Sequence, residues 1–257
     1  MTVTARNVFL RVLIFGLLLG AASTANADAI SFISVSVSNT QFTPAAGTAT
    51  FTPTGASSRS QAGNSLGENQ NITSNTFPIA QSALAVTFAS GSGIANATNT
   101  TVSGVAEANV SGCSCSAGSL SLNILTGTLV VVGGEGNVNV TISGLLDGLS
   151  HLETDASGEY VELGWLYDVS VNGMSVFSTD FVNTRSGPNQ LAEGQFSQQL
   201  SRVITLQYGA VNTIGIRLSP YALAINEVPE PASVTLLLSG LVFMTGVIRK
   251  RRKSVDD

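Results

Sequence analysis

Alternation of apolar and polar residues is the clearest pattern in this chain, and it is concentrated in the second half. Val138, Val140 and Ile142 fall on one face of an extended segment, with Asn137, Asn139 and Thr141 on the other. That period of two predicts a half-buried strand over residues 137–143. Val161, Leu163, Trp165, Tyr167, Val169 and Val171 share one face of the next run. Asn172-Gly173 follows, a two-residue hairpin signal because a type I′ turn needs positive φ at both central positions, and residues 174–177 form the return. Residues 200–207 and 211–218 flank Gly209 and read as another antiparallel pair, with Ile214, Ile216 and Leu218 inward. Residues 221–225 read as a last strand. The apolar stretch 120–132 reads as one bent strand or two.

The first half carries the pattern more weakly. Ile33, Val35 and Val37 alternate with Ser34, Ser36 and Ser38, a good first strand, and residues 84–88 suggest another. Residues 101–110 are a weaker candidate, with small residues at every second position. Residues 40–82 are rich in Ser, Thr, Asn, Gly and Gln with little periodicity, as expected of short strands or a long exposed loop. The body therefore divides into a Ser/Thr/Asn/Gly-rich part, 28–118, and a part with clearer strands, 119–227. Many short strands separated by turn residues predict an all-β fold, a β-sandwich of jelly-roll-like form. A right-handed β-solenoid is the alternative, although no fixed-period repeat is present.

Both ends break the pattern. Arg6 and Arg11 flank the start of an apolar stretch, 12–22, and Ala25-Asn26-Ala27 precedes Asp28. Basic, apolar and small-x-small segments in that order predict a secretory signal peptide over 1–27, cut between Ala27 and Asp28, with Ala25 and Ala27 as the small residues of the site. At the other end, Val228, Pro229, Glu230, Pro231, Ala232 and Ser233 precede an apolar run, 234–248, and a basic cluster of Arg249, Lys250, Arg251, Arg252 and Lys253. The two prolines bias the residues before them toward extended backbone and offer no N–H, so 228–233 reads as a stiff strip outside any helix. As a helix the apolar run would be about 22 Å long at ~1.5 Å per residue, short for a ~30 Å hydrocarbon core unless the flanking residues extend it and the cations snorkel. Five consecutive cations predict that this end stays cytoplasmic and the body lies across the membrane.

That order of motif, apolar helix and basic block resembles the PEP-CTERM sorting signal of Gram-negative bacteria. The resemblance covers residues 228–253 alone. It implies a membrane peptidase, exosortase, as processing partner. It also implies a transient inner-membrane anchor and a final place on the outer surface or in the exopolysaccharide matrix of a biofilm, while the N-terminal signal peptide predicts export through the Sec translocon with signal peptidase.

Composition narrows what the body can do. Residues 28–227 hold four arginines, no lysine and thirteen carboxylates, a net charge of −9. An acidic body disfavours nucleic acid and anionic membrane surfaces as partners. The two cysteines, Cys113 and Cys115, stand two apart, at the edge of disulfide reach for an extended chain. A local bridge, two free thiols and an intermolecular bond all remain open. With His151 the single histidine, a thiolate metal site lacks ligands, and no metal site is expected.

Three features could carry chemistry. Gly63-Asn64-Ser65-Leu66-Gly67 matches the G-x-S-x-G nucleophile motif, but that motif works on a strand-to-helix turn, and no helix signal follows. Asp147, His151, Glu153, Asp155, Glu159 and Glu162 are the densest ionisable cluster, with the composition of a calcium loop or a glycosidase pair but no matching spacing. A solvated acidic loop is the expected state. Trp165 and Tyr167 share a face with aliphatic residues and are expected in the core, which leaves Tyr160 alone on the opposite face. Asn71, Asn96, Asn99, Asn109 and Asn139 begin N-x-S/T triplets, a chance outcome in so polar a chain. The expected function is a non-enzymatic structural or adhesive role with no catalytic residues and no cofactor. A carbohydrate- or calcium-binding module is the second expectation and a matrix glycoside hydrolase the third.

Overall fold

A computed structural model describes residues 28–227. These residues form twelve strands: β1 (Asp28–Pro44), β2 (Thr48–Asn64), β3 (Asn69–Ser74), β4 (Ile79–Val86), β5 (Ala89–Asn96), β6 (Thr101–Ser111), β7 (Cys115–Val132), β8 (Asn137–Thr154), β9 (Glu159–Val171), β10 (Met174–Ser186), β11 (Gln190–Gln207) and β12 (Val211–Asn226). They make two six-stranded sheets, ordered β11-β8-β1-β6-β5-β4 and β10-β9-β12-β7-β2-β3. Every pairing is antiparallel. The sheets face each other across one core, a sandwich-like all-β body. The residues singled out at the two ends, Ala25 and Ala27, the 228–233 motif, the 234–248 run and the basic cluster 249–253, lie outside the described residues. Asp28 opens β1, opposite Ser111 on β6.

The strands are longer and more continuous than the sequence pattern predicts. Residues 40–82, expected as short strands or a long loop, extend β1 and build β2, β3 and the start of β4. The 120–132 stretch is one strand, β7, and 211–226 is one strand, β12. The division at 118/119 therefore falls inside β7, and each sheet draws strands from both parts. The fully antiparallel order leaves no place for a solenoid. Asn172 and Gly173 do form the predicted turn, with φ of 53° and 80°.

The filling of the core changes along the sheets. Under β8, β9 and β12 it consists of large side chains: Leu146, Leu152, Leu163, Trp165, Tyr167, Ile214, Ile216 and Leu218 are all buried. Trp165 packs against both Phe181 and Phe196, with centroids 6.4 and 6.1 Å away, and the two phenylalanines lie 6.1 Å from each other, so the three rings form a triangular cluster. Under β2, β4, β5 and β6 most buried positions are small, Ala56, Ala62, Ala80, Ala89, Ala95, Ala106 and Ala108, with Ser58, Ser60, Ser82, Ser121 and Asn123 among them; Leu84, Val102 and Val110 are the larger exceptions. These polar side chains satisfy one another across the gap. Ser58 Oγ lies 2.7 Å from Ser82 Oγ and donates to Asn123 Oδ1 at 2.6 Å; Ser60 Oγ lies 2.8 Å from Ser82 Oγ. Buried hydroxyls are tolerated only with such partners.

Candidate functional site

An open trough of about 810 Å³ lies on the outer face of the second sheet. Strand register explains its shape. Residues two apart on a strand share a face, and antiparallel partners stand side by side. One outward row runs Asn71, Gln61, Leu120, Tyr221 and Gly164 across β3, β2, β7, β12 and β9; the next runs Asn69, Gly63, Gly118, Leu223 and Glu162. Gly63 and Gly118 are neighbours on adjacent strands, so the second row has no side chains at its middle. The sheet surface dips there. A Cβ at Gly118 would meet the Ala222 carbonyl oxygen at 3.4 Å and Leu223 Cδ1 at 3.6 Å, ordinary van der Waals contacts, so a small side chain fits there.

One wall is the turn 64–68 between β2 and β3, and it is firmly built. Asn64 Oδ1 accepts from the Leu66 and Glu68 amides at 3.0 and 3.1 Å. Asn64 Nδ2 donates to Glu68 Oε2 at 2.6 Å and to the Thr87 carbonyl at 2.8 Å. Glu68 in turn accepts from the Thr87 amide at 2.9 Å and the Thr87 hydroxyl at 3.2 Å. The Thr87 hydroxyl, then Asn64, then the Thr87 amide hold the Glu68 carboxyl below its ordinary pKa. On the other side of the turn, Ser65 N donates to the Ser116 carbonyl at 2.8 Å, and Ser116 N donates to Ser65 Oγ at 2.9 Å. The wall is thereby tied to β7 and to the β4–β5 turn together.

The opposite wall is Tyr221. Its hydroxyl donates to Glu162 Oε1 at 2.8 Å, and Tyr160 donates to the other oxygen of the same carboxylate. The Tyr221 ring lies against Gly164, where an added Cβ would sit 2.7 Å from it. Burial first, and then the Glu162 carboxylate, push the Tyr221 phenol far above its ordinary pKa, so it remains a neutral donor at any physiological pH. For Tyr160 the hydrogen bond to Glu162 is the main cause of a shift in the same direction.

The features singled out in the sequence fare differently. The G-x-S-x-G segment lies in the 64–68 turn between two strands, not on a strand-to-helix turn, and the Ser65 hydroxyl is engaged by the Ser116 amide. The acidic cluster is dispersed. Asp147, His151 and Glu153 share the outer face of the first sheet, where His151 lies 3.2 Å from both Glu153 and Glu193. Glu159 is buried, not solvated as the acidic-loop reading expects; it closes the β8–β9 turn by accepting from the Asp155 and Ala156 amides. Glu162 stands on the outer face of the second sheet. Among the described residues, no three His, Cys, Asp or Glu side chains converge to hold a metal ion. Trp165 and Tyr167 are in the core, and burial raises the Tyr167 phenol to about 12. Cys113 and Cys115 are joined to each other, with Cα atoms 5.4 Å apart.

Tyr160 is not isolated on its face, because Tyr221 reaches the same carboxylate from the neighbouring strand. Sequence reasoning missed Tyr221, Gln61 and Gly118 as site residues and met Gly63 only as part of the G-x-S-x-G motif. They lie far apart in the chain, and strand register alone brings them together. No protein-family model matches the chain, and no curated protein matches it in a sequence comparison.

Proposed function

We propose that this chain is an exported, non-enzymatic β protein, sorted by exosortase to the outer surface or the exopolysaccharide matrix of a Gram-negative cell, where it has a structural or adhesive role. The observation that carries the reading is the order of the C-terminal segment: Pro229-Glu230-Pro231, an apolar run, then five cations. Two prolines would keep the motif extended, a hydrophobic helix behind it would fix its height above the bilayer, and the basic block would set its orientation. A membrane-embedded peptidase would meet one peptide stretch at constant depth, and that proximity lets a modest motif suffice. At the other end, signal peptidase is expected to leave Asp28 as the first residue of the mature protein, as N-terminal sequencing of secreted material would show.

We read the sandwich more finely as jelly-roll-like. Taking β6 to β12 in order and then β1 as an eighth strand, the neighbours run first-eighth-third-sixth in one sheet and second-seventh-fourth-fifth in the other, the double Greek-key order. The pairs β2–β3 and β4–β5 then extend one edge of each sheet. The non-enzymatic assignment is supported by the commitment of the Ser65 hydroxyl to the Ser116 amide and by the separation of His151 from it on the other sheet.

The test of sorting replaces Pro229, Glu230 and Pro231 with alanine and follows a C-terminal and an internal epitope in membrane and extracellular fractions. Insertion should persist, because the apolar run and the cations are untouched. Loss of the C-terminal epitope should cease and full-length protein should remain in the inner membrane. Release at the wild-type rate would leave the tail an ordinary anchor.

A further inference from the structure

We propose that the trough between the 64–68 turn and Tyr221 binds a neutral polysaccharide, with the hexopyranose units lying across β2, β7 and β12. This rests on the reading of the chain as a matrix protein and names the ligand class that the reading leaves open. Three properties of the trough point to it.

The first is the mixture of surfaces. Leu120, Leu223 and the Tyr221 ring give apolar patches suited to the C–H faces of a pyranose. Around them Gln61 and Asn69 offer side-chain amides that can both donate and accept, as sugar hydroxyls require, and the Ser65 hydroxyl, which accepts from the Ser116 amide, keeps its own proton to donate.

The second is charge. No lysine or arginine lines the trough, while Glu68 stands at one wall and Glu162 behind the other. With the body at −9, a phosphate- or uronate-bearing polymer would be repelled. A neutral glycan meets no such cost.

The third is rigidity together with paired backbone. The 64–68 turn and Tyr221 are both held by hydrogen bonds to neighbouring strands, so little side-chain ordering opposes binding. The floor strands β2, β7 and β12 are each paired on both sides, so they have no free edge. An extended peptide gains its affinity from an open edge by adding a strand. The trough denies it those main-chain bonds, which favours a ligand bound through side chains alone.

The test uses the full chain in a zwitterionic detergent, since glucoside or maltoside headgroups would compete. Titration calorimetry is run with neutral hexasaccharides of β-1,4-glucose, β-1,3-glucose, β-1,4-mannose and β-1,4-N-acetylglucosamine, and with a hexamer of mannuronate as the anionic control. At least one neutral hexasaccharide should bind with a Kd below about 1 mM, and mannuronate should not bind. Gly118→Leu fills the dip from an outward-facing position where a Cβ meets only ordinary contacts, and should weaken binding by about tenfold or more while leaving the melting temperature near that of the parent. Gln61→Ala, which leaves the floor and both walls in place, supplies the second variant and should also weaken binding. The proposal is overturned if none of the neutral hexasaccharides binds, if mannuronate binds best, or if both variants bind as the parent does. These results are independent of the epitope assay, so a glycan failure leaves the sorting assignment standing, and the reverse holds too.

Discussion

Beside Trp165 the two sheets are held apart by stacked aromatic rings; beside Asn123 they come so close that one added methyl group has nowhere to go. In the first region Trp165, Phe181 and Phe196 span the gap between β9, β10 and β11. In the second, a Cβ at Gly93 would lie 2.1 Å from Asn123 Oδ1 and 2.3 Å from Ser121 Oγ, and one at Gly104 would lie 2.8 Å from Asn123 Nδ2 and from Pro220 Cγ. The two regions hold one sandwich together by different means. The aromatic region relies on apolar area removed from water. The close region buries little apolar area per residue and relies on short contacts and satisfied hydroxyls, whose net worth is modest while both partners are present and whose loss leaves a costly orphan. The outer trough lies on the back of the close region, where Gly63 and Gly118 of β2 and β7 leave the outward surface low.

If this contrast is right, the aromatic region fails through cavities. Trp165→Ala should give the largest loss, about 3–5 kcal/mol, because Phe181 and Phe196 both lose the ring they pack against. In a domain of this size that corresponds to a fall in Tm of about 2–4 °C for each kcal/mol. Thermal unfolding followed by near-ultraviolet circular dichroism would measure it. A loss below about 1 kcal/mol would mean that the rings do not hold the sheets apart.

The close region should fail in the opposite way, through enlargement. Gly93→Ala should destabilise by about 1–3 kcal/mol, since Asn123 and Ser121 belong to a buried network and have no room to swing away. The same methyl at Gly118, on the outward face, meets only ordinary van der Waals distances and should change stability by no more than about 0.5 kcal/mol. Denaturant titration of the pair sharpens the comparison. Equal effects at positions 93 and 118 would show that the sheets separate easily at this end.

The same contrast explains what could be read from the sequence. Where the inward positions are Val161, Leu163, Trp165 and Tyr167 and the outward ones are Glu162 and Asp168, apolarity reports the face directly, and β9 was legible. In β2 the inward positions are Ala56, Ser58, Ser60 and Ala62 and the outward ones include Ser57, Gln61 and Gly63. Small and polar residues occupy both faces, so the alternation is present in burial and invisible in hydropathy. Closely spaced sheets require small inward residues, and this is what hid β2, β3, β5 and the first half of β4, of which only the end at residues 84–86 was read as a strand. The trough was illegible for a further reason. Its floor depends on Gly63 standing beside Gly118 and Tyr221 beside Gly164, pairings fixed by register across strands distant in sequence. The hairpin at Asn172-Gly173 was readable because its signal is local. Ser65 shows the reverse case, a local motif whose surroundings give it a different task.

The smallest expected effect is confined to the trough wall and separates the two regions by pH. Glu68 is exposed, and its carboxylate is held ionised by the Thr87 hydroxyl, Asn64 Nδ2 and the Thr87 amide. Its folded pKa is therefore below its unfolded one. The stabilisation it gives is complete above the ordinary glutamate range and is lost as pH falls through the lowered folded value. Protonation weakens the carboxylate as an acceptor and loosens the 64–68 turn, leaving the bond from Asn64 Nδ2 to the Thr87 carbonyl as its remaining tie to Thr87. Amide exchange at Leu66, Glu68 and Thr87, corrected for intrinsic rates, should accelerate as pH drops through that range, while Val161 and Ile216 in the aromatic region keep their protection. Because the group is exposed, the global Tm should scarcely move. Glu68→Gln, which cannot ionise, should show the faster exchange already at neutral pH and lose its pH dependence. If acid leaves protection at Thr87 and Glu68 unchanged, or loosens Val161 and Ile216 equally, the wall is not an independently held element and the two regions respond as one.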